Sequence, residues 1–286
     1  MSGPAPALVS TEWLAERLGR PGLVVVDGSW YLPTSGRDPA AEHAAAHIPG
    51  AVFFDLDASS DQASPLPHML PRGDAFAARM GELGIADDDH VVVYDGSGAN
   101  LSAPRVWWMF RSMGHDRISV LDGGFAKWRR EGRPLEAGRV TRPRTRFTAR
   151  PRPSEVRDLE AVRRALETGA EQVVDMRPAG RYAGTDPEPR PGLRGGHMPG
   201  SRSLPYDRLV GPDGTVLPRD RLLERVRAAG IDPALPVIAT CGSGVSACAL
   251  VHALHLLGHE GAALYDGAWA EWGGRPETPV VTGEAS

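Results

Sequence analysis

The chain has 286 residues, of which 41% are hydrophobic and 24% are charged, and this predicts an ordered globular protein of two domains. A net charge of -4, from 32 basic and 36 acidic residues, argues against a general nucleic-acid-binding protein. No apolar run is long enough for a membrane helix, and the first residues lack the basic start and apolar core of a signal peptide. The sequence therefore predicts a cytoplasmic protein without nucleic-acid or membrane partners.

Short β-branched apolar runs alternate with helical stretches along the chain. In chain order, the prediction is strand Leu23–Val26, strand Val91–Tyr94, helix Ser102–Ser112, strand Ile118–Leu121, helix Asp158–Thr168, strand Gln172–Val174, helix Arg219–Ala229, strand Val237–Thr240, helix Ser246–Leu257 and strand Ala262–Tyr265. Buried strands that alternate with helices indicate an α/β fold with mostly parallel sheets and helices on both faces.

The two halves of the chain repeat one another. Four blocks recur in the same order at nearly constant offset, and they pair Asp27 with Asp175, His47-Ile-Pro-Gly with His197-Met-Pro-Gly, Asp95 with Cys241, and Trp128 with Trp272. Units this long and this few predict two similar tandem domains rather than a solenoid. The predicted domains are residues 1–137 and 154–286. Both His-x-Pro-Gly histidines are expected to fix turns, because one of them lies in the half that has no cysteine at the matching position.

An arginine- and proline-rich segment, residues 138–153, separates the two domains. It carries several arginines and no acidic residue. We interpret it as a solvated linker on the protein surface, with a polyanion-binding site as the alternative.

The most informative stretch is the cysteine loop, Val237-Ile-Ala-Thr-Cys-Gly-Ser-Gly-Val-Ser-Ala. A buried strand ends at Cys241, glycines follow at 242 and 244, and a helix is predicted to begin near Ser246. Ligand sites of open α/β sheets collect at this end of the strands. The glycine-rich turn and the helix N-terminus favour anions, so the sequence predicts a depressed pKa for Cys241 and a nucleophilic thiolate. Gly242 is also a candidate for a positive φ angle.

Two further positions qualify this prediction. The first half places Asp95 where the second has Cys241, so only the second domain is expected to be catalytic. Cys248 is predicted to lie two turns into the following helix and to be part of the apolar core.

These motifs resemble those of the two-domain rhodanese-like sulfurtransferases, and they look most similar to the 3-mercaptopyruvate sulfurtransferase branch. The resemblance extends from about Ser10 to Val280 and is carried by His47-Ile-Pro-Gly, Ser64-Pro-Leu-Pro-His-Met-Leu-Pro, Gly180-Arg-Tyr, Pro187-Glu-Pro-Arg and Cys241-Gly-Ser-Gly-Val-Ser-Ala. Ser246 is a departure, since the family more often has threonine there. Both residues supply a hydroxyl near the helix start.

The resemblance implies sulfur transfer through a Cys241 persulfide, without a cofactor. The sulfur of 3-mercaptopyruvate would pass to Cys241, and a thiol such as thioredoxin, or cyanide, would then accept it. Backbone N–H groups of the loop would stabilise the persulfide, and the candidates are those of Gly242, Gly244, Val245 and Ser246. By the same resemblance, Arg181 and Arg190 bind the donor's carboxylate and keto oxygen. The resemblance also implies a proton relay of Ser243, His68 and Asp57, which would place the active site in a cleft between the domains.

Three alternatives remain open from the sequence. Thiosulfate is the second candidate donor; the neutral Gly242 and Ser243 argue against it, because the thiosulfate branch tends to place basic residues there. A non-catalytic rhodanese-like binding protein is a remote alternative, against which the intact cysteine loop argues. A phosphatase would need the pattern Cys-x5-Arg. Counted from Cys241, the fifth intervening residue is Ser246, and the arginine position holds Ala247.

Overall fold

A computed structural model describes residues 5–283 of the chain. The chain divides into two compact units that are each discontinuous in sequence. Unit 1 comprises the described residues up to Gln62, Leu70–Arg152 and Val210–Val216; unit 2 comprises Ala63–Met69, Pro153–Leu209 and the described residues from Leu217 onward. The contiguous domain boundaries 1–137, 138–153 and 154–286 stay a prediction. His68, which those boundaries give to the first domain, is grouped with unit 2.

Unit 1 is built on a five-stranded parallel sheet in the order β1-β5-β4-β2-β3. The strands are β1 Leu8–Val9, β2 Leu23–Asp27, β3 Val52–Phe53, β4 His90–Tyr94 and β5 Ile118–Leu121. The helices are α1 Thr11–Ala15, α2 Pro39–Ala45, α3 Gly73–Glu82, α4 Ala103–Ser112 and α5 Gly124–Arg130. The central strands are buried along most of their length, as their unbroken valine runs predict.

Unit 2 repeats this topology, with the strand order β6-β10-β9-β7-β8 and parallel pairing throughout. The strands are β6 Val156–Arg157, β7 Gln172–Asp175, β8 Arg202–Ser203, β9 Val237–Thr240 and β10 Ala262–Tyr265. The helices are α6 Leu159–Thr168, α7 Ala179–Ala183, α8 Arg219–Ala228, α9 Cys248–Leu256 and α10 Ala268–Trp272. The identical strand order confirms the duplicated α/β fold.

Repeated residues hold equivalent places in the two units. Trp128 and Trp272 are both buried, and each indole N–H donates to a proline carbonyl at 2.8 Å. His47 and His197 are buried, with Nδ1 at hydrogen-bond distance from the carbonyls of His43 and Tyr182. Each of these histidines also forms an isolated antiparallel bridge with a later segment. Both imidazoles therefore fix the backbone, as the repeat predicts.

The arginine-rich segment runs along unit 1 as far as Arg152. The N–H groups of Thr145 and Arg150 donate to the carbonyls of Gly81 and Met113, and Phe147 is buried against aromatic rings. Arg152 forms a two-bond ion pair with Asp116. These contacts hold the segment to the rest of unit 1, while most of its residues are exposed, as expected of a solvated surface segment. Its role as a linker stays a prediction.

No helix within residues 5–283 is long and apolar enough to cross a membrane.

Candidate functional site

The cysteine loop of unit 2 begins directly after β9. Cys241 is 2% exposed, and its carbonyl accepts the N–H of Trp269 at 2.9 Å. The next carbonyl, of Gly242, accepts the N–H of Ala270 at 2.9 Å. The first turn of α10 therefore holds the loop by its carbonyl oxygens, which leaves the opposite side of the peptide groups free to face a ligand.

The N–H groups of this loop are largely unused. Within residues 5–283, those of Gly242, Ser243, Val245 and Ser246 donate no hydrogen bond, although the first three of these residues are buried. Buried N–H groups are nearly always paired in folded proteins. A cluster of unpaired donors at the end of a parallel strand is what an anion-binding site requires. Gly244 makes the turn with φ 77°, whereas Gly242 has no left-handed φ, so the prediction of a positive φ there was wrong.

The matching loop of unit 1 is already filled by its own side chains. The carboxylate of Asp95, which is fully buried, accepts the N–H groups of Ser97, Ser102 and Ala103 at 2.8–2.9 Å. The Ser97 hydroxyl accepts two further N–H groups of the loop. Asp95 thus occupies the place that a bound anion would take, and it caps α4 as well. This explains physically why the Asp95 loop offers neither an open anion site nor a nucleophile.

We expect Asp95→Asn to destabilise the protein by about 2–4 kcal/mol. The amide has no charge, and its NH₂ group would face N–H groups that the carboxylate oxygens of Asp95 accept in wild type. Urea unfolding would measure this loss. Asp88→Asn, at an exposed position, is the matched control and should change stability little. Equal stability of the two variants would contradict the capping role.

Ser243 and His68 meet within unit 2. Nδ1 of His68 lies 3.0 Å from Oγ of Ser243, and both residues are buried. His68 has φ 60°, a left-handed conformation that is uncommon outside glycine. Residues held in such conformations are over-determined by their surroundings and cluster at functional sites. The structure therefore brings together two of the three predicted relay residues.

Asp57 lies in unit 1, in a turn with an exposed side chain. Its carbonyl accepts the amide of Gln62 at 2.7 Å and the N–H of Ser60 at 3.2 Å. Its membership of the relay stays a prediction.

Arg181 borders the cysteine loop. A Cβ added to Gly242 would stand 2.9 Å from Nη2 of Arg181, so the absence of a side chain at 242 leaves room for the guanidinium. Arg181 is held by Glu188, with Nη2 to Oε2 at 2.6 Å. Arg190 is half-buried in the same loop, two residues after Glu188. Its contact with a donor stays a prediction.

Sequence reasoning missed the residues behind Arg181. Glu188 joins Arg181 to Arg177, which in turn pairs with Asp175. Two sequence signals were available. Arg177 lies two positions after the repeated aspartate Asp175 at a strand end, and Glu188 is the acid inside Pro187-Glu-Pro-Arg.

Cys248 lies in the core, but at a different place in its helix from the one predicted. It is fully buried, and its thiol donates to the carbonyl of Gly244 at 3.3 Å. α9 begins at Cys248 itself, because residues 245–247 form a tighter turn in which the N–H of Cys248 bonds the carbonyl of Val245. Both cysteines are free thiols.

Comparison with known proteins agrees with this duplicated fold and its single cysteine-bearing loop. Residues 10–131 and 158–275 each match the rhodanese-like domain, and the chain belongs to the rhodanese-like family. It is a sulfurtransferase, as its relatives over nearly the whole chain are.

The human 3-mercaptopyruvate sulfurtransferase is 42% identical over 97% of this chain and 96% of its own length. The bovine thiosulfate sulfurtransferase is 45% identical over the same shares. Among solved structures, SseA of Escherichia coli, described as a 3-mercaptopyruvate sulfotransferase, superposes with a TM-score of 0.85 at 41% identity and covers 93% of this chain and 99% of its own.

Proposed function

We propose that the protein transfers sulfur from 3-mercaptopyruvate through a persulfide on Cys241 to a thiol or cyanide, and releases pyruvate. The observation that carries this proposal is the set of unpaired backbone N–H groups in the loop that follows Cys241. In unit 1 the N–H of Ser97, at the position that matches Ser243, binds the carboxylate of Asp95, which supports an anionic group at this place in unit 2.

The first half-reaction transfers one sulfur atom. The Cys241 thiolate attacks the sulfur of 3-mercaptopyruvate, an S–S bond forms, and the C–S bond breaks with its electron pair left on carbon. The resulting enolate takes a proton and leaves as pyruvate. The terminal sulfur of the persulfide carries negative charge, which the loop N–H groups stabilise because they are already oriented before the reaction.

Proton movement is assigned to Ser243 and His68, with Asp57 as the predicted third member. The donor thiol must lose a proton and the enolate must gain one, so a hydroxyl and an imidazole in contact suit both transfers. The 3.0 Å separation between Ser243 and His68 supports this assignment.

The second half-reaction returns the enzyme to its starting state. An acceptor thiolate attacks the terminal sulfur and Cys241 leaves as thiolate, so the mechanism is ping-pong and needs no separate cofactor. We propose a small or protein thiol as acceptor, with thioredoxin as one candidate, and action in the cytoplasm.

Donor choice rests on the arginines. A carboxylate next to a keto oxygen presents two oxygens that a planar guanidinium fork can bind, and we assign this role to Arg181 and Arg190. Nη2 of Arg181 lies so close to Gly242 that a Cβ there would stand 2.9 Å from it.

We expect Gly242→Ala to raise KM for 3-mercaptopyruvate by about threefold to tenfold, since the new Cβ displaces the Arg181 guanidinium. The backbone tolerates the change, because Gly242 has no left-handed φ. Gly261→Ala is the control: its Cβ would make only ordinary contacts, the nearest at 3.4 Å. Steady-state kinetics of both variants measure the effect, and an unchanged KM in Gly242→Ala would argue against Arg181 as a donor ligand.

Thiosulfate remains the second candidate donor, and the 45% identity to the bovine thiosulfate sulfurtransferase favours keeping it. Comparing kcat/KM for the two donors under identical conditions tests the proposal. A higher value for 3-mercaptopyruvate supports it, and a higher value for thiosulfate replaces it with the second candidate. No turnover with either donor would favour a non-catalytic binding protein.

A further inference from the structure

Arg181 is restrained by a carboxylate that is more deeply buried than itself. Oε2 of Glu188 accepts from Nη2 of Arg181 at 2.6 Å and from Nε at 3.2 Å. The Glu188 side chain is only 2% exposed, whereas that of Arg181 is 14% exposed. The Arg181 guanidinium therefore keeps some access to solvent, while the buried Glu188 carboxylate fixes one of its edges.

Glu188 is itself fixed from its other side. Its Oε1 accepts from Nη1 of Arg177 at 2.7 Å, and Arg177 pairs with Asp175 at 2.6 Å. The Arg177 guanidinium lies 4.0 Å over the ring of Trp269. Burial alone would lower the pKa of Arg177, but the carboxylates of Asp175 and Glu188 outweigh burial and raise it, so Arg177 stays charged.

The same network reaches the cysteine loop. Trp269, which stacks on Arg177, also donates its backbone N–H to the carbonyl of Cys241 at 2.9 Å. Arg181 and the Cys241 backbone are thus tied to one buried framework, which fixes the distance between the nucleophile and the guanidinium.

We infer that Glu188 is a positioning residue for the donor: it holds the Arg181 guanidinium in the orientation that receives the donor carboxylate. This inference rests on the proposed function. Glu188 has a second effect of opposite sign, because its charge offsets that of Arg181 and weakens the attraction for any anion. The two effects make opposite predictions for KM.

If positioning dominates, Glu188→Gln raises KM for 3-mercaptopyruvate by about threefold to tenfold and changes kcat less, because the donor must then order a side chain that was held in place before binding. If charge neutralisation dominates, KM falls. Glu188→Asp separates the effects further: it keeps the charge and shortens the reach, so positioning predicts a raised KM here too, whereas neutralisation predicts no change.

The experiment is steady-state kinetics of wild type, Glu188→Gln and Glu188→Asp, together with calorimetric measurement of pyruvate affinity. Glu171→Gln is the matched control, since it removes the acid of another ion pair of unit 2 that is joined by several hydrogen bonds, the one with Arg157. Combining Glu188→Gln with Arg181→Ala should raise KM no further than Arg181→Ala alone, because the acid acts through the arginine.

A raised KM and weaker pyruvate binding in both Glu188 variants, absent from Glu171→Gln, support the inference. An unchanged or lower KM, or additive effects with Arg181→Ala, overturn it. Should wild type fail to use 3-mercaptopyruvate, the proposed donor is wrong, and the pyruvate affinities still decide whether Glu188 positions Arg181. Wild type that neither uses the donor nor binds pyruvate overturns both.

Discussion

Cys241→Ser should lower sulfur transfer by at least about a thousandfold, the scale on which removal of a covalent nucleophile acts. A serine hydroxyl is a weak nucleophile and cannot carry a persulfide, so both half-reactions are lost. The fold should persist, because Cys241 is held by its backbone carbonyl rather than by its side chain. Turnover with each donor, together with urea unfolding, measures the two expectations.

Cys248→Ser is the control for this substitution. Cys248 is fully buried, and a hydroxyl there can still donate to the carbonyl of Gly244, so we expect a loss of about 1 kcal/mol of stability and retained kcat. An active Cys241→Ser protein beside an inactive Cys248→Ser protein would reverse the assignment.

Arg190→Ala and Arg181→Ala should each lower kcat/KM for 3-mercaptopyruvate by tens- to hundreds-fold, corresponding to about 2–4 kcal/mol for the loss of a charged hydrogen-bonding partner. The loss should be smaller with thiosulfate, which has no carboxylate. Kinetics with both donors for each variant measure the difference. Arg221→Ala, at an exposed ion pair on α8, is the control and should leave both donors unaffected.

Equal losses with the two donors would contradict a carboxylate-binding role for the arginines. Such a result would instead indicate that Arg181 and Arg190 attract anions without distinguishing them, and it would favour the thiosulfate reading.

The central strands could be predicted because they are buried on both faces. The valine runs of β2 and β4, and the runs of β9 and β10, are unbroken and end at polar residues, so each was located to within a residue. The two-residue edge strands β1, β3, β6 and β8 carry no such signal, since their pairing depends on neighbours distant in sequence.

The candidate site was predictable where one segment carries the information. The residues of the cysteine loop by themselves predict an anion-binding turn beside a nucleophilic cysteine, and the repeat shows Asp95 at the equivalent position. The contact between His68 and Ser243 was expected only through the family resemblance, because residues 175 apart share no local pattern. The Asp175–Arg177–Glu188–Arg181 chain was not foreseen, since charged residues give no sequence signal of burial.

Intact-mass spectrometry after incubation with 3-mercaptopyruvate, without acceptor, would detect the Cys241 persulfide itself. Wild type should gain the mass of one sulfur atom, peptide mapping should place it on Cys241, added thiol should remove it, and Cys241→Ser should gain nothing. Wild type that releases pyruvate without gaining sulfur, or that carries the sulfur on Cys248, would show that Cys241 does not carry the transferred sulfur.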